Sequence, residues 1–425
     1  MRSDFPRSRR CGLRARQCGL AGASRFLALG GRRSAREGTA LGAMSPSDAS
    51  HQKANAAIEK PEGTLGVAVS RSPRTRILHA VRSPFAPIWF ATAGLFAISP
   101  ALASGSLSSS SILAMLPFAA ILAVASIGQT LVVQQRGFDL TIPGMMSLAA
   151  VLVTHYPHGQ DSRLPVALVL VLVAALASGL VSALAITTFG ITPIVATLGV
   201  NALLSGTVIA ITNGVNSQAA HGLSSFALAK TAGIPNTVFV AVALILVASF
   251  AVGRTVAGRR FQAVGATPRS ARVAGISVAR HQAVAYIASA LCAGAAGVLI
   301  AGFLVTPSTT VGTNYLLPSV AAVVLGGTAL TGGRASVVAS AMGALFLTQL
   351  DQLIQDMGAA ISVQYIVQGV IIALGMSLRS VHLRPKSLSA LLPRRGRAER
   401  PLDRAPAAGS VPRATNNHSR REGTR

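Results

Sequence analysis

One carboxylate stands in the most apolar part of the chain. It is Asp139, in the run RGFDLTIPGMM from Arg136 to Met146, where Gly137, Pro143 and Gly144 interrupt any regular helix. A charged carboxylate at the centre of a bilayer costs about 2.5–3.5 kcal/mol on insertion scales, so it must face protein or water. Two roles are open to Asp139 and its neighbour Thr141. They either belong to a polar path or its gate, or satisfy the free backbone groups of a broken segment as a cap on a re-entrant helix near the cytosolic face.

A second cluster is basic. GRTVAGRRFQAVGATPRSARVAGISVAR, ending at Arg280, holds six arginines and no acid. Pro268 is suited to open a short helix there and Gly275 to end it. Gly265, Ala271, Ala274 and Gly275 leave room for another protein beside Arg269 and Arg272, while an ordinary inside loop with retained arginines is the plainer alternative. Further polar residues stand near the ends of apolar runs. Thr197, Asn201, Asn213 and Asn314 can offer donors and acceptors to hydroxyl groups, although a lone Asn more commonly bonds a neighbouring helix. Asp161, Asp351 and Asp356 are expected near an outer face, as solvated charge or as partners for basic residues of another protein.

Catalytic signatures are missing. The four lysines, Lys53, Lys60, Lys230 and Lys386, lie outside any GxxxxGK[ST] phosphate loop, so the chain is not expected to hydrolyse ATP by itself. Neither HExxH, GxSxG nor a Cys-x-x-Cys pair occurs, so no catalytic residue and no metal site are expected. Cys11, Cys18 and Cys292 show no pairing signal.

The elements that position these residues are membrane spans. The chain has 425 residues, 51% hydrophobic and 12% charged, and a mean hydropathy of +0.55, which marks an integral membrane protein. Apolar runs near the ~20 residues that cross a bilayer core predict about ten helices. They are Ala86 to Ala103, Ile112 to Val133, Leu140 to Tyr156, Leu164 to Thr187, Pro193 to Ile211, Pro235 to Gly253, Gln282 to Leu304, Leu317 to Leu330, Val337 to Leu353 and Ser362 to Leu378. The eighth, interrupted by Gly326 and Gly327, and the region around Gly137 to Pro143 are expected to be short or broken. Trp89, Tyr156, Tyr286, Tyr315 and Tyr365 fall at span ends, where amphipathic rings favour the headgroup zone. Beginning inside, ten spans leave both termini in the cytosol. Arg136, the arginines from Arg254 to Arg280, Arg334 and Arg379 are then inside, and only Arg163 and Lys230 are outside, as the positive-inside rule requires.

The net charge of +26 does not indicate nucleic acid, because most of it lies in residues 1–85 and 381–425 and neither tail carries a binding motif. Both are expected to be disordered cytosolic tails near anionic lipid. The first 43 residues have the Arg-rich, acid-poor composition of a transit peptide, and translation is expected to begin at or near Met44, which opens a more polar stretch. An echo between GFDLT at Gly137 and GTALT at Gly327 suggests an internal repeat only weakly, given so much Gly and Ala.

The order of landmarks resembles a known family. AGRRFQAVGATPRSARVAGISVARHQAVAYIASALCAGAAGVL is followed by VGTNYLLPSVAAVVLGGTALTGGRAS and preceded by RGFDLTIPGMMSLAAVLV and FGITPIVATLGVNALLSGTVIAITNG. Together they resemble the membrane permease of ATP-binding-cassette carbohydrate importers, the ribose and xylose type, over roughly Pro87 to Leu378. The resemblance implies an all-α polytopic permease of the bacterial inner membrane, with its domain at 86–380 and a cytosolic coupling loop at 254–281. In that family the loop docks on an ATPase, which maps here onto Gly265, Arg269, Ala271, Arg272, Ala274 and Gly275. Asp139, Thr141, Asn201 and Asn314 are candidates for the path or gate. The implied partners are ATPase subunits, a periplasmic solute-binding protein and a second permease copy or paralogue in the lipid bilayer. The chain itself would bind no cofactor; ATP and magnesium would sit on the ATPase. Leu316, Leu317 and Pro318 stand where many members carry an acidic pair, which weakens transfer of the cargo's identity. Importers of nucleosides or branched-chain amino acids share the fold and stay open as alternatives. A gradient-driven secondary transporter is disfavoured by the scarcity of intramembrane acids, and a membrane enzyme by the absence of clustered catalytic groups.

Overall fold

The computed structural model describes residues 85–382. The basic tails, the start expected at Met44, Cys11 and Cys18 lie outside the described residues. Thirteen α-helices are present among the described residues: α1 Ala86–Leu102, α2 Ser109–Gln134, α3 Ile142–His155, α4 Leu164–Thr187, α5 Pro193–Thr212, α6 His221–Leu228, α7 Asn236–Arg254, α8 Val256–Ala266, α9 Pro268–Val273, α10 Val278–Leu304, α11 Leu316–Leu325, α12 Val337–Asp356 and α13 Ile361–His382. A two-stranded antiparallel ribbon, β1 Lys230–Thr231 and β2 Ile234–Pro235, is a small turn before α7. The chain is thus an all-α polytopic membrane protein. Six of the described helices are long and apolar enough to cross a membrane, and four apolar helical segments are shorter, so each expected span has a helix.

Local sequence explains where these helices begin. Pro87, Pro143, Pro165, Pro193 and Pro268 occupy first turns, where a missing N–H costs nothing. Ser108, Ser277 and Ser336 cap α2, α10 and α12 by accepting the backbone N–H three residues on, at 3.2, 3.4 and 3.3 Å.

Packing divides the helices into an inner and an outer set. The 27-residue α10 lies against α2, α3 and α4, and α12 lies against α2, α11 and α1. The main apolar core is accordingly built from α2, α3 and α10, with Ile121, Val124, Met145, Met146, Ala293 and Ile300 all nearly inaccessible. Polar side chains cross-link the inner set. Thr130 Oγ1 donates to Ser340 Oγ at 2.8 Å, joining α2 to α12, and Gln349 Nε2 donates to Ser99 Oγ at 3.1 Å, joining α12 to α1. By contrast α4, α5 and α7 expose Val169, Leu172, Leu203, Ile209, Leu246 and Phe250, the arrangement for helices that meet lipid or another apolar subunit.

Two expectations need correction. The eighth span ends at Leu325, not Leu330, because Gly326 caps it and Gly327 turns the chain at φ +88°. Tyr286 and Tyr315 are not headgroup residues, being only 2% and 8% exposed inside the bundle. Trp89, Tyr156 and Tyr365 are exposed, consistent with the belt.

Candidate functional site

The arginine-rich segment folds as two short helices, of which only the second was legible beforehand. In α8 the spacing of Gly258, Phe261, Val264 and Gly265 puts one face inward, and Arg259 and Arg260 are exposed on the other. In α9 Pro268 occupies the first turn. The helix ends in a Schellman turn: Gly275 N donates to the Arg272 carbonyl at 3.1 Å and Ile276 N to the Ala271 carbonyl at 2.9 Å. Gly275 takes φ +75°, a left-handed conformation that side chains with a Cβ resist. Beneath the turn Ile276 packs on a small cluster of Val264, Ala271 and Val278, the hydrophobic contact that accompanies this motif.

The six residues expected to face a partner therefore divide. Arg269, Arg272, Ala274 and Gly275 are exposed, and the intervening Val273 is 92% exposed, which is unusual for a valine unless something covers it. Gly265 and Ala271 are buried and cannot touch a partner directly. Ala271 fills the cluster under α9. Gly265 lies so close to the end of α2 that a Cβ would overlap the Gln134 carbonyl oxygen.

That close approach is part of a three-way junction which sequence reading missed. Three consecutive residues at the end of α2 grip two other stretches, the loop before α12 and helix α8. Gln134 pairs with the loop before α12, its Nε2 donating to the Gly333 carbonyl at 3.0 Å while its own carbonyl accepts Gly333 N at 3.1 Å. Gln135 Nε2 donates to the Phe261 carbonyl of α8 at 2.8 Å. Arg136 Nε donates to the Gly265 carbonyl at 2.9 Å, and its Nη2 to the Ala266 carbonyl, so one guanidinium fork closes the C-terminal end of α8. Arg136 itself turns the chain at φ +66°. The only prior signal was QQR closing an apolar run. The GFDLT and GTALT breaks, noted as a faint echo, thus belong to segments that meet at this junction.

Beyond Arg136 the chain is unwound as far as Thr141, and this is where Asp139 sits. Its Oδ1 accepts Thr141 N at 2.9 Å and Thr141 Oγ1 at 2.6 Å, an Asx turn that leads into α3. Ser289 and Tyr286 of α10 lie beside the carboxyl. Ser289 is the twelfth residue of α10, roughly 17 Å along that helix at 1.5 Å per residue. The turn therefore lies about one helical turn beyond Ala285 and Tyr286, the level at which Phe261 of α8 packs against α10. Asp139 and Thr141 are both buried, and they hold the turn.

Asn201 is reached from α3. Its Oδ1 accepts Gly144 N at 2.8 Å, one of the free N–H groups at the start of that helix. Next to this contact α3, α5 and the 3-10 turn Val311–Tyr315 border an open cavity of about 150 Å³, lined in part by Ser147, Asn201 and Thr313, whose rim includes the exposed Ser205, Ile209 and Thr310. Asn314 is exposed and does not line it, so the four path candidates are not one constellation. Of the acids expected near an outer face, Asp161 accepts Gly222 N at 2.7 Å, Asp351 accepts Gln368 Nε2 at 2.7 Å and Asp356 accepts Gln352 Nε2 at 2.8 Å.

Comparison with known proteins covers most of this architecture. The family model described as branched-chain amino acid transport system / permease component matches residues 111–376. The chain is 32% identical over 242 residues to a probable ABC transporter permease protein of Sinorhizobium fredii, spanning 56% of this chain and 71% of that one. It is 30% identical over 259 residues to the ribose import permease protein of Escherichia coli, spanning 60% and 80%. With an autoinducer 2 import system permease protein of Escherichia coli the identity is 27% over 287 residues, spanning 66% and 86%. No solved structure matches the chain.

Proposed function

The chain belongs to the family of branched-chain amino acid transport system / permease components, and from that membership we propose that it is the transmembrane subunit through which an ATP-driven importer moves a monosaccharide. At the coarser level it is an ABC-type permease of the sugar-importer group and a multi-pass inner-membrane protein. The finer reading assigns ATP and magnesium to separate ATPase subunits, and delivery of the solute to a periplasmic binding protein. The pore is completed by a second permease copy or paralogue, and both termini lie in the cytosol.

One observation carries this reading: a short helix held out on a rigid turn and tied through its neighbour to a break in the membrane bundle. The exposed face of α9, with Arg269, Arg272 and Val273, is the docking surface for the ATPase. The Schellman turn at Gly275 and the cluster under Ala271 fix its angle. The junction at Gln134 to Arg136 then links α8 to the unwound segment that starts α3. Closure of the ATPase would push α9, and the push would reach the Asp139 turn and reorient α3 and α5. The relatives' cargo names, ribose and autoinducer 2, support a small hydroxylated solute over an amino acid.

The test is reconstitution. The permease, co-purified with its ATPase and supplied with its binding protein in proteoliposomes, should accumulate a radiolabelled monosaccharide only with ATP and magnesium. Uptake by the purified permease alone, driven by a proton or sodium gradient, would overturn the reading.

A further inference from the structure

Two breaks in helical order approach each other from opposite ends of the bundle. One is the unwound stretch between α2 and α3, and the other is the stretch between α10 and α11, which carries the turn Val311–Tyr315. The second reaches the first turns of α3, the helix into which the first leads. Gly312 N donates to Ser147 Oγ at 3.0 Å, and a Cβ on Gly312 would overlap the Pro143 carbonyl oxygen. The meeting point is deep, since Met145 and Met146 of α3 pack on Gly294 and Gly297 of α10, past the middle of that 27-residue helix. Irregular backbone at such depth is tolerated where it is buried in protein or lines a cavity, and transporters place solute sites where discontinuous helices converge.

The cavity at this point holds about 150 Å³, and its polar wall is Ser147, Asn201, Ser205, Thr309, Thr310 and Thr313. No acidic, basic or imidazole side chain lines it. Several of its groups keep unused capacity. Asn201 spends its Oδ1 on Gly144 and retains both amide donors. Ser147 accepts from Gly312 and retains its O–H, while Thr313 donates to the Thr310 carbonyl at 2.8 Å and retains its lone pairs. The wall therefore offers donors and acceptors together, the match for a hydroxyl that is itself both. A carboxylate or ammonium would leave water there without a counter-charge. At this volume, below the roughly 300–1,000 Å³ of enclosing ligand pockets, it can hold one face of a small solute. A weak hold suits a site that must release what it takes.

We propose that this cavity, which opens on the exposed face of α5 beside Ser205 and Ile209, is a low-affinity subsite for a neutral polyhydroxylated solute, contacting two or three hydroxyls as the solute passes. The proposal rests on the importer reading above and adds a place and a chemistry to it.

The experiment uses the full complex in proteoliposomes and ATP-driven uptake of radiolabelled D-ribose, D-xylose and D-glucose, with deoxy analogues as competitors. Ser205→Leu should fill the cavity and lower uptake at saturating binding protein by about tenfold, the equivalent of one to two lost hydrogen bonds. Assembly and basal ATP hydrolysis should be unchanged. Thr313→Val, nearly the same shape and on an exposed residue, should narrow the preference for hydroxylated over deoxy competitors, and it decides the matter if Ser205→Leu fails to assemble. If the wild-type complex takes up the sugars and the variants match it in rate and selectivity, the subsite is wrong and the importer reading stands. If the wild-type complex takes up none of the three, the sugar reading fails and the subsite falls with it.

Discussion

Arg136 is the residue that most directly joins the short helices α8 and α9 to the membrane bundle. It sits in a left-handed conformation at the end of α2 and holds two carbonyls at the C-terminal end of α8. Arg136→Ala should leave the complex assembled, because Gln135 still holds Phe261 and the cluster under α9 is untouched. Transport should suffer more than hydrolysis, with uptake falling about tenfold, the equivalent of one lost charge-assisted contact. The ratio of ATP consumed to solute imported is the quantity to measure, and a wild-type ratio would remove Arg136 from the coupling route. Arg136→Lys should rescue little, since an ammonium cannot span two carbonyls as a planar fork does. Asp139 behaves differently. Because its carboxyl spends Oδ1 on the N–H and hydroxyl of Thr141, Asp139→Asn keeps an acceptor in place and should retain most uptake. Asp139→Ala leaves buried donors unmet, at about 1–3 kcal/mol, and should lower both the amount of protein in the membrane and its melting temperature in detergent. Lost uptake in a well-folded Asp139→Asn protein would instead put the negative charge itself in the path.

At the scale of elements, the short helix α9 was legible because its signals are local. Proline at the first turn and glycine at the end are backbone constraints that act within six residues of one another. The same logic gives a prediction. Gly275 has open space around it, so its substitution is resisted by conformation alone and not by a clash. Gly275→Val should cost about 1–2 kcal/mol at that position, fray the turn and uncouple hydrolysis from uptake. Gly275→Asn, which tolerates the left-handed region, should stay close to wild type, and equal loss in both would show that bulk at the docking surface matters, not the turn. Helix α8 was not legible. Its inward face includes two glycines, Gly258 and Gly265, which carry no hydrophobic signal yet are needed where α8 meets other backbone. The ten apolar segments were readable from hydropathy, whereas the direction each side chain faces was not. Tyr286 and Tyr315 lie at span ends in the sequence but turn inward, because position along a helix says nothing of rotation about its axis. The junction and the cavity were hidden for a similar reason. Both arise where segments far apart in sequence meet, as Gln134 with Gly333 and Ser147 with Gly312, and no local pattern encodes such a pairing.

For the whole molecule the arrangement stands or falls on which side of the membrane α9 occupies. The inner helices α10 and α12 both bury themselves on α2, and the outer helices α4, α5 and α7 present apolar side chains to their surroundings. Such a body is held upright by hydrocarbon, and its orientation is set by the arginines at its ends. Arg136, Arg259, Arg260, Arg269, Arg272 and Arg334 are gathered at one end by the junction itself, since α8 and the loop before α12 are both bonded to the end of α2. Val273→Cys, at a position 92% exposed in a background with the native cysteines replaced, should react with a membrane-impermeant maleimide in inside-out vesicles and stay unreacted in right-side-out ones. Adding the purified ATPase should protect it. The reverse labelling pattern would place the six arginines outside, against the charge rule, and would leave an ATPase nothing to push. Labelling on the cytosolic side without protection would keep the orientation and move the docking surface away from α9.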